Sequence, residues 1–355
     1  MAKEIKRIAV IPGDGIGNDV IREGVKLLET LADVRGYGYE LTHYDLGAER
    51  YLRDGTTFPE EVAAAIRDDH DAVLLGALGD PRVPDMSHAR DILFGLRFGL
   101  DLYCNLRPVQ CLSDRLMPLK GRTAKDCDFV VFRENTEGIY TGIGGQFKKG
   151  TPDEVAIQES INTRKGVERI IRAAFEYAVA HGRKTVHLAD KSNAMRHGHE
   201  LWYRCFFEVA EEYSGIEAKH VYVDALCFYL IEDPRPFEVI VTCNLFGDII
   251  TDLGAAFQGG LGMASSANLR PGEVSMFEPV HGSAPPLAGK DLANPLATVL
   301  TVGMLLTHLG YAEEEPRLIE LVRRAVDEGK CTRDVGGDLG TRAVGDWICA
   351  QVRAS

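Results

Sequence analysis

Asp248 and Asp252 stand four residues apart in the stretch 238–254, EVIVTCNLFGDIITDLG. On a helix, positions i and i+4 lie one above the other on the same face. Two carboxylates held that way repel each other, and a cation between them would remove the repulsion. Carboxylate oxygens, with water and substrate oxygens filling the remaining positions, suit Mg²⁺ or Mn²⁺. The start of a solvated helix, where the dipole favours acid, would place the same two residues without any metal. The flanking Ile249, Ile250 and Leu253 are apolar, so one face packs and the acids crowd the other.

Three arginines, Arg97, Arg107 and Arg133, follow apolar segments, where an unpaired guanidinium is costly to bury. Each can grip a carboxylate bidentately, so the three together suit a di- or tricarboxylate, whereas any one alone suits a structural salt bridge. Lys191, beside Asp190, and Tyr140, in Gly138-Ile139-Tyr140, are the candidate proton carriers. His281 has the neighbours of a hydrogen-bonded structural histidine, and the other histidines suggest no metal-ligand cluster.

Elements must bring these residues together. Residues 8–11 form a short apolar run followed by Pro12-Gly13-Asp14-Gly15-Ile16-Gly17, and apolar spacing predicts a helix over 19–31. The glycines run G-x-G-x-G, with Asn18 where the dinucleotide fingerprint G-x-G-x-x-G has glycine, so a tight turn explains them as well as a phosphate cradle does. Strands are expected at 39–44, 72–77, 129–132, 185–189, 221–224 (ending on Asp224) and 239–241, with an alternating, half-buried strand within 154–162. Helices are expected at 59–66, 164–181, 202–213 and 297–309. Strands alternating with helices argue for an α/β chain with a largely parallel sheet.

At 355 residues the chain is long enough for two domains. A formal net charge of −13 argues against nucleic-acid binding, although a local arginine cluster can still hold an acidic substrate. No run is long and apolar enough for a membrane span, and the N-terminus lacks a signal-peptide pattern. The eight cysteines form no CxxC pair and no zinc spacing. A reduced, cytoplasmic enzyme is the expectation.

IPGDGIG, NLRP, RENTEGIY, DKSN, NLFGDIITDLG, GGLGMA, FEPVHGSAP and ANP occur in this order. The set resembles the isocitrate/3-isopropylmalate dehydrogenase family, the metal-dependent β-decarboxylating dehydrogenases, from Ile8 to about Gly340. The resemblance implies a two-domain α/β fold with a mixed, largely parallel sheet that is not a Rossmann fold. A large cofactor-binding domain would comprise 1–102 and 258–355, and a smaller substrate and dimerisation domain 103–257. It implies a homodimer with shared active sites. Arg97, Arg107 and Arg133 would bind substrate carboxylates, and Tyr140 and Lys191 would be the acid–base pair. Asp224, Asp248 and Asp252 would hold Mg²⁺ or Mn²⁺, with Asp224 also touching substrate and, with Lys191, reaching in from the partner chain. Ile11, His281, Gly282, Ser283, Ala284, Asn294 and Asp334 would bind the dinucleotide.

Pro286 stands where many NAD-using relatives carry an acid for the adenosine ribose, and Pro286-Leu287 replaces the Lys-Tyr of NADP-using ones. The stretch 332–337, TRDVGG, resembles the NAD type, so NAD is expected, with NADP open through Arg333. One turn before Arg97, the apolar Leu93 and Phe94 suit an isopropyl substituent, which favours 3-isopropylmalate and leucine biosynthesis. Arg90, on the same helical face, and the form of RENTEGIY keep isocitrate, homoisocitrate and tartrate or D-malate as alternatives. A non-catalytic regulatory subunit would have lost some of the five metal and acid–base residues, and all five are present.

Overall fold

The computed structural model describes residues 5–355. Residues 1–4, part of the stretch weighed above as a leader, lie outside them. Among the described residues the strands are β1 (Ile5–Ile11), β2 (Gly38–His43), β3 (Ala72–Leu75), β4 (Cys104–Gln110), β5 (Asp128–Glu134), β6 (Gly144–Phe147), β7 (Val155–Gln158), β8 (Thr185–Asp190), β9 (Glu217–Tyr222), β10 (Val239–Thr242), β11 (Ser265–Leu269) and β12 (Ser275–Pro279). The helices are α1 (Ile16–Arg35), α2 (Ala48–Asp54), α3 (Glu60–Asp69), α4 (Ser87–Gly99), α5 (Arg164–Ala180), α6 (Gly198–Ala210), α7 (Val223–Glu232), α8 (Asn244–Phe257), α9 (Leu296–His308), α10 (Glu314–Asp327) and α11 (Thr341–Ala354). No helix among the described residues is long and apolar enough to cross a membrane.

The chain divides into two units. The first holds Met1–Leu102, Gln110–Lys125 and Ala255–Ser355; the second holds Tyr103–Val109 and Asp126–Gly254. The expected boundaries put all of 103–257 in one domain, whereas Gln110–Lys125 packs with the first unit. The reason is bonding distant in sequence: Ser113 Oγ donates to Asp327 at 2.6 Å, and Arg115 donates to the carbonyls of Val326 and Gly336.

In the first unit the strand order is β2-β1-β3-β12-β11, parallel except where β11 meets β12. Ile8–Ile11 and Ala72–Leu75 are apolar without interruption because helices cover both faces of a parallel sheet. Helix α9 is apolar on all sides and correspondingly buried along most of its length. Neither this strand order nor the glycine loop is that of a Rossmann fold. Gly13 (φ +73°) and Gly15 (φ +54°) need the left-handed region. A Cβ on Gly15 would stand 2.1 Å from the Ser283 carbonyl oxygen, and one on Gly13 2.2 Å from that of Ala77. These glycines are consumed in backbone packing.

In the second unit β4-β5-β10-β8-β9 is the strand order, with parallel pairing from β5 through β9. Helix α5 is capped by Thr163, whose hydroxyl accepts the Gly166 N–H at 3.0 Å. Two expectations fail here. Asp224 does not end a strand but lies in the first turn of α7, because Leu226 and Leu230 are buried at helical spacing. The half-buried strand within 154–162 is shorter, and β7 pairs antiparallel with β6 in a hairpin exposed on both faces.

Candidate active site

Helix α8 begins two residues beyond the buried strand β10, and its second and third turns carry Asp248 and Asp252. Arg133, at the end of β5 and 2% exposed, donates from Nη1 to Asp248 Oδ1 at 2.6 Å. Its Nε donates to the Asn244 carbonyl at 2.8 Å, and its Nη2 to Asn244 Oδ1 at 2.8 Å. Gly247 makes room for this crossing, since a Cβ there would lie 2.5 Å from Arg133 Cγ. Arg107 on β4 donates to Thr251 Oγ at 2.7 Å and stands 3.4 Å from Asp248 Oδ1. The Tyr140 hydroxyl, half-buried in a single 3₁₀ turn, is 3.4 Å from Asp248 Oδ2. Asp248 is thus gathered with Arg107, Arg133 and Tyr140.

Asp252 sits one turn further along α8. Partial desolvation and then the repulsion of Asp248 raise its carboxyl above the usual range, against the pull of Arg107 and Arg133. That is the like-charge crowding read from the four-residue spacing. Hard carboxylate oxygens under mutual repulsion fit Mg²⁺ or Mn²⁺ in donor chemistry. Among the described residues of one chain, no three acid, histidine or cysteine side chains converge to complete a metal shell. Asp224 stands instead with Lys191, whose Nζ is 2.5 Å from its Oδ1, and this hydrogen bond is the main cause holding Asp224 below its ordinary value.

Arg97, on α4 of the first unit, is 5% exposed and pairs with Glu278 at 3.0 Å, whose carboxylate also accepts from Asn268. Leu93 packs on the core around Val73, Ile92 and Leu96. Phe94 stacks on Phe98 with ring centroids 5.3 Å apart. Arg90 is exposed beside Asp91 at 3.4 Å.

The first unit also holds a cavity of about 550 Å³. His281, Gly282, Ala284, Asn294 and Asp334 line it, together with Ile16, Leu287, Leu292 and Arg333. Burial lowers the His281 pKa; its Nδ1 faces the Gly282 carbonyl at 3.1 Å, and its buried Nε2 has no partner among the described residues. Asn294 Nδ2 donates to Asp334 at 3.0 Å. Ala284, at φ +36°, holds a left-handed conformation rare for a residue with a Cβ, the kind of strain found at binding loops. An unpartnered ring nitrogen, peptide edges and leucine walls fit one half of a dinucleotide. Ser283 does not line the cavity but supports it, its carbonyl accepting the Ile16 N–H at 2.8 Å. Ile11 lies in the core rather than on the cavity wall.

Residues that sequence reasoning missed are Asn244 and Thr251, which hold two of the arginines. Their spacing of −4 and +3 from Asp248 puts them on the acids' face of α8, so the signal was present. Asp14 was also missed: it accepts from the Ala48 and Gly79 N–H groups at 2.7 Å each and lies 2.9 Å from His88 Nε2.

The profile of the isocitrate/isopropylmalate dehydrogenase family matches residues 7–348. A 3-isopropylmalate dehydrogenase of Thermobifida fusca is 45% identical over 354 residues, covering 99% of each chain. One of Streptomyces griseus is 46% identical over 344 residues, covering 94% of this chain and 97% of that protein. Among solved structures, the isocitrate dehydrogenase of Methylococcus capsulatus superposes with a TM-score of 0.86 at 34% identity, covering 98% of this chain and 99% of that one. The TT0538 protein of Thermus thermophilus gives 0.84 at 38% identity, covering 98% of this chain and 68% of that one.

Proposed function

Since the chain belongs to the isocitrate/isopropylmalate dehydrogenase family, we propose that it oxidatively decarboxylates a 3-substituted (2R)-malate, 3-isopropylmalate, in leucine biosynthesis. The observation that carries the reading is the similarity of the whole chain to proteins named for that activity. The apolar Leu93 and Phe94 one turn before Arg97 support the same substituent.

In this reading Arg97, Arg107 and Arg133 bind the substrate carboxylates, each through a planar fork. Lys191 takes the hydroxyl proton as C2 is oxidised. The 2-oxo group then accepts the electrons of the breaking bond to the 3-carboxylate, and Tyr140 returns a proton to C3. A divalent cation on Asp224, Asp248 and Asp252 would supply a Lewis acid for the hydroxyl and its neighbouring carboxylate, and a nicotinamide in the first unit's cavity the hydride acceptor. Asp224 also faces substrate in this assignment, and Ser283 supports the cavity through the bond of its carbonyl to Ile16.

NAD is the proposed dinucleotide. Pro286 is exposed and uncharged, and Arg333 lines the cavity, so titration with NAD and NADP separately is the test. Tighter binding of NADP would overturn the choice. A homodimer is proposed because Asp224 stands apart from the α8 acids within one chain, and because Phe228, Tyr229 and Ile231 on α7 and Ile249 on α8 are exposed. A solution mass near 39 kDa, that of a single chain, would refute it. A reduced, cytoplasmic setting is supported by eight unbridged cysteines.

Likeness to an isocitrate dehydrogenase structure favours isocitrate or homoisocitrate as the second reading. One experiment separates them: Mn²⁺, NAD and a panel of 3-isopropylmalate, isocitrate, homoisocitrate, D-malate and tartrate. The highest kcat/KM belongs to 3-isopropylmalate on this proposal, and a regulatory subunit would reduce no dinucleotide.

A further inference from the structure

We propose that His199 is a positioning residue for Lys191, an inference that rests on the reading of Lys191 as the group that takes the substrate's hydroxyl proton. Lys191 is the first residue beyond β8, where the sheet no longer supplies a partner for its N–H, and a peptide donor partly shielded from water needs one. His199 supplies it. The Lys191 N–H donates to His199 Nδ1 at 3.0 Å. The Lys191 carbonyl accepts from the Ala194 and Met195 N–H groups at 2.9 and 2.8 Å, and the Met195 carbonyl accepts the His199 N–H at 3.0 Å. Lys191, Met195 and His199 therefore close a hydrogen-bonded ring, and the imidazole is its one side-chain link.

The residues on either side of Lys191 are fixed as well. Asp190 Oδ1 accepts from the Ser192 N–H and hydroxyl at 3.0 and 3.1 Å, with His220 Nε2 at 2.8 Å. His199 is 1% exposed and tilted against the Phe246 ring at 5.2 Å. To accept at Nδ1 the ring must be neutral with its hydrogen on Nε2. Burial lowers the His199 pKa, which keeps it in that form.

Packing alone does not call for a histidine here. Helix α6 is anchored by Trp202, Cys205, Phe206 and Val209, and the Trp202 indole donates to Asn162 at 2.8 Å. An apolar side chain would fill the same space. What only a histidine-like acceptor provides is a fixed origin for the four-carbon Lys191 side chain, which reaches Asp224 across the Tyr222 ring. A displacement of about 1 Å at a reacting group can cost on the order of a hundredfold in rate.

The test compares His199→Leu, His199→Asn and His199→Gln in the full chain with Mn²⁺, NAD and the best hydroxy diacid of the panel. Asparagine places an acceptor where Nδ1 stands; glutamine places it one bond further out. The leucine and glutamine variants are expected to lose roughly ten- to a hundredfold in kcat, with KM for the hydroxy acid and the directly titrated NAD affinity within about threefold. The asparagine variant is expected to keep kcat within about threefold. If the leucine variant does not fold, the asparagine–glutamine pair decides alone. A leucine variant with full kcat, or an asparagine variant as slow as the glutamine one, overturns the inference while leaving the function in place. An unmutated chain that oxidises none of the panel overturns the function, and the inference with it.

Discussion

Asp248 carries more of the site than its neighbours do, because three groups converge on one carboxylate: Arg133, Arg107 and Tyr140. Asp248→Asn keeps the shape and removes the charge. It should lower kcat/KM at least about a hundredfold while the protein stays folded, since a hard-oxygen site loses a charged ligand. Activity equal to the parent with a chelator present would sink the three-aspartate assignment. Glu134, the neighbour of Arg133, is 1% exposed, and burial pushes its carboxyl up to about 7, against three hydrogen bonds from Thr136 and Glu137 that favour the ion. Below its ordinary value of 4.5 the group is protonated folded or unfolded, so its burial carries no charge penalty. Between 4.5 and about 7 the folded state alone holds the proton, so stability falls as pH rises through that window. The loss is on the order of 3 kcal/mol. Denaturant unfolding of Glu134→Gln against the parent should move in the variant's favour by roughly 2–3 kcal/mol from pH 5 to pH 8. A difference independent of pH would refute the burial account.

At the scale of elements, α4 and the glycine loop each make a prediction. Helix α4 presents Leu93 to the core, Phe94 to Phe98 and Arg97 to Glu278, so one helix carries both the apolar and the charged side chains proposed to recognise substrate. Phe94→Arg should lower kcat/KM for 3-isopropylmalate by about tenfold or more, because an isopropyl group next to a cation loses its apolar contact. Homoisocitrate, which could pair with the new guanidinium, should lose far less. Equal losses for the two substrates would take Phe94 out of the pocket. In the loop, Gly15→Ala meets both the Ser283 carbonyl and a left-handed backbone. Strain of about 1–3 kcal/mol is expected, and because Ser283 supports the cavity, NAD affinity should fall together with thermal stability. A variant that is destabilised yet binds NAD with unchanged affinity would break that link.

For the molecule as a whole, the cavity and every residue lining it belong to the first unit. NAD added alone at about a hundred times its Kd should stabilise the protein by roughly 2.7 kcal/mol. Slowed hydrogen exchange should concentrate at the glycine loop, the segment 281–294 and the turn at Asp334. Protection confined to α7 and α8 instead would place the dinucleotide elsewhere.

The sequence by itself determined the parallel α/β class, the buried strands β1, β3 and β10, and the helical face shared by Asp248 and Asp252. The strands are written as short uninterrupted apolar runs and the helical face as a 3.6-residue period, and neither needs knowledge of the partner surface. The ordered motifs also carried the family, because long stretches such as NLFGDIITDLG are specific in themselves. Only the tertiary structure decided that Gln110–Lys125 joins the first unit, that Asp224 opens a helix beside Lys191, and that the glycine loop packs on Ser283. It alone showed Asn244 and Thr251 holding the arginines, and His199 holding the Lys191 backbone. Those choices rest on hydrogen bonds between residues as much as 267 positions apart, as Ile16 and Ser283 are. Local spacing offers the candidates, as for Leu226 and Leu230 or Asn244 and Thr251, but which donor meets which acceptor depends on what the packed fold leaves facing one another.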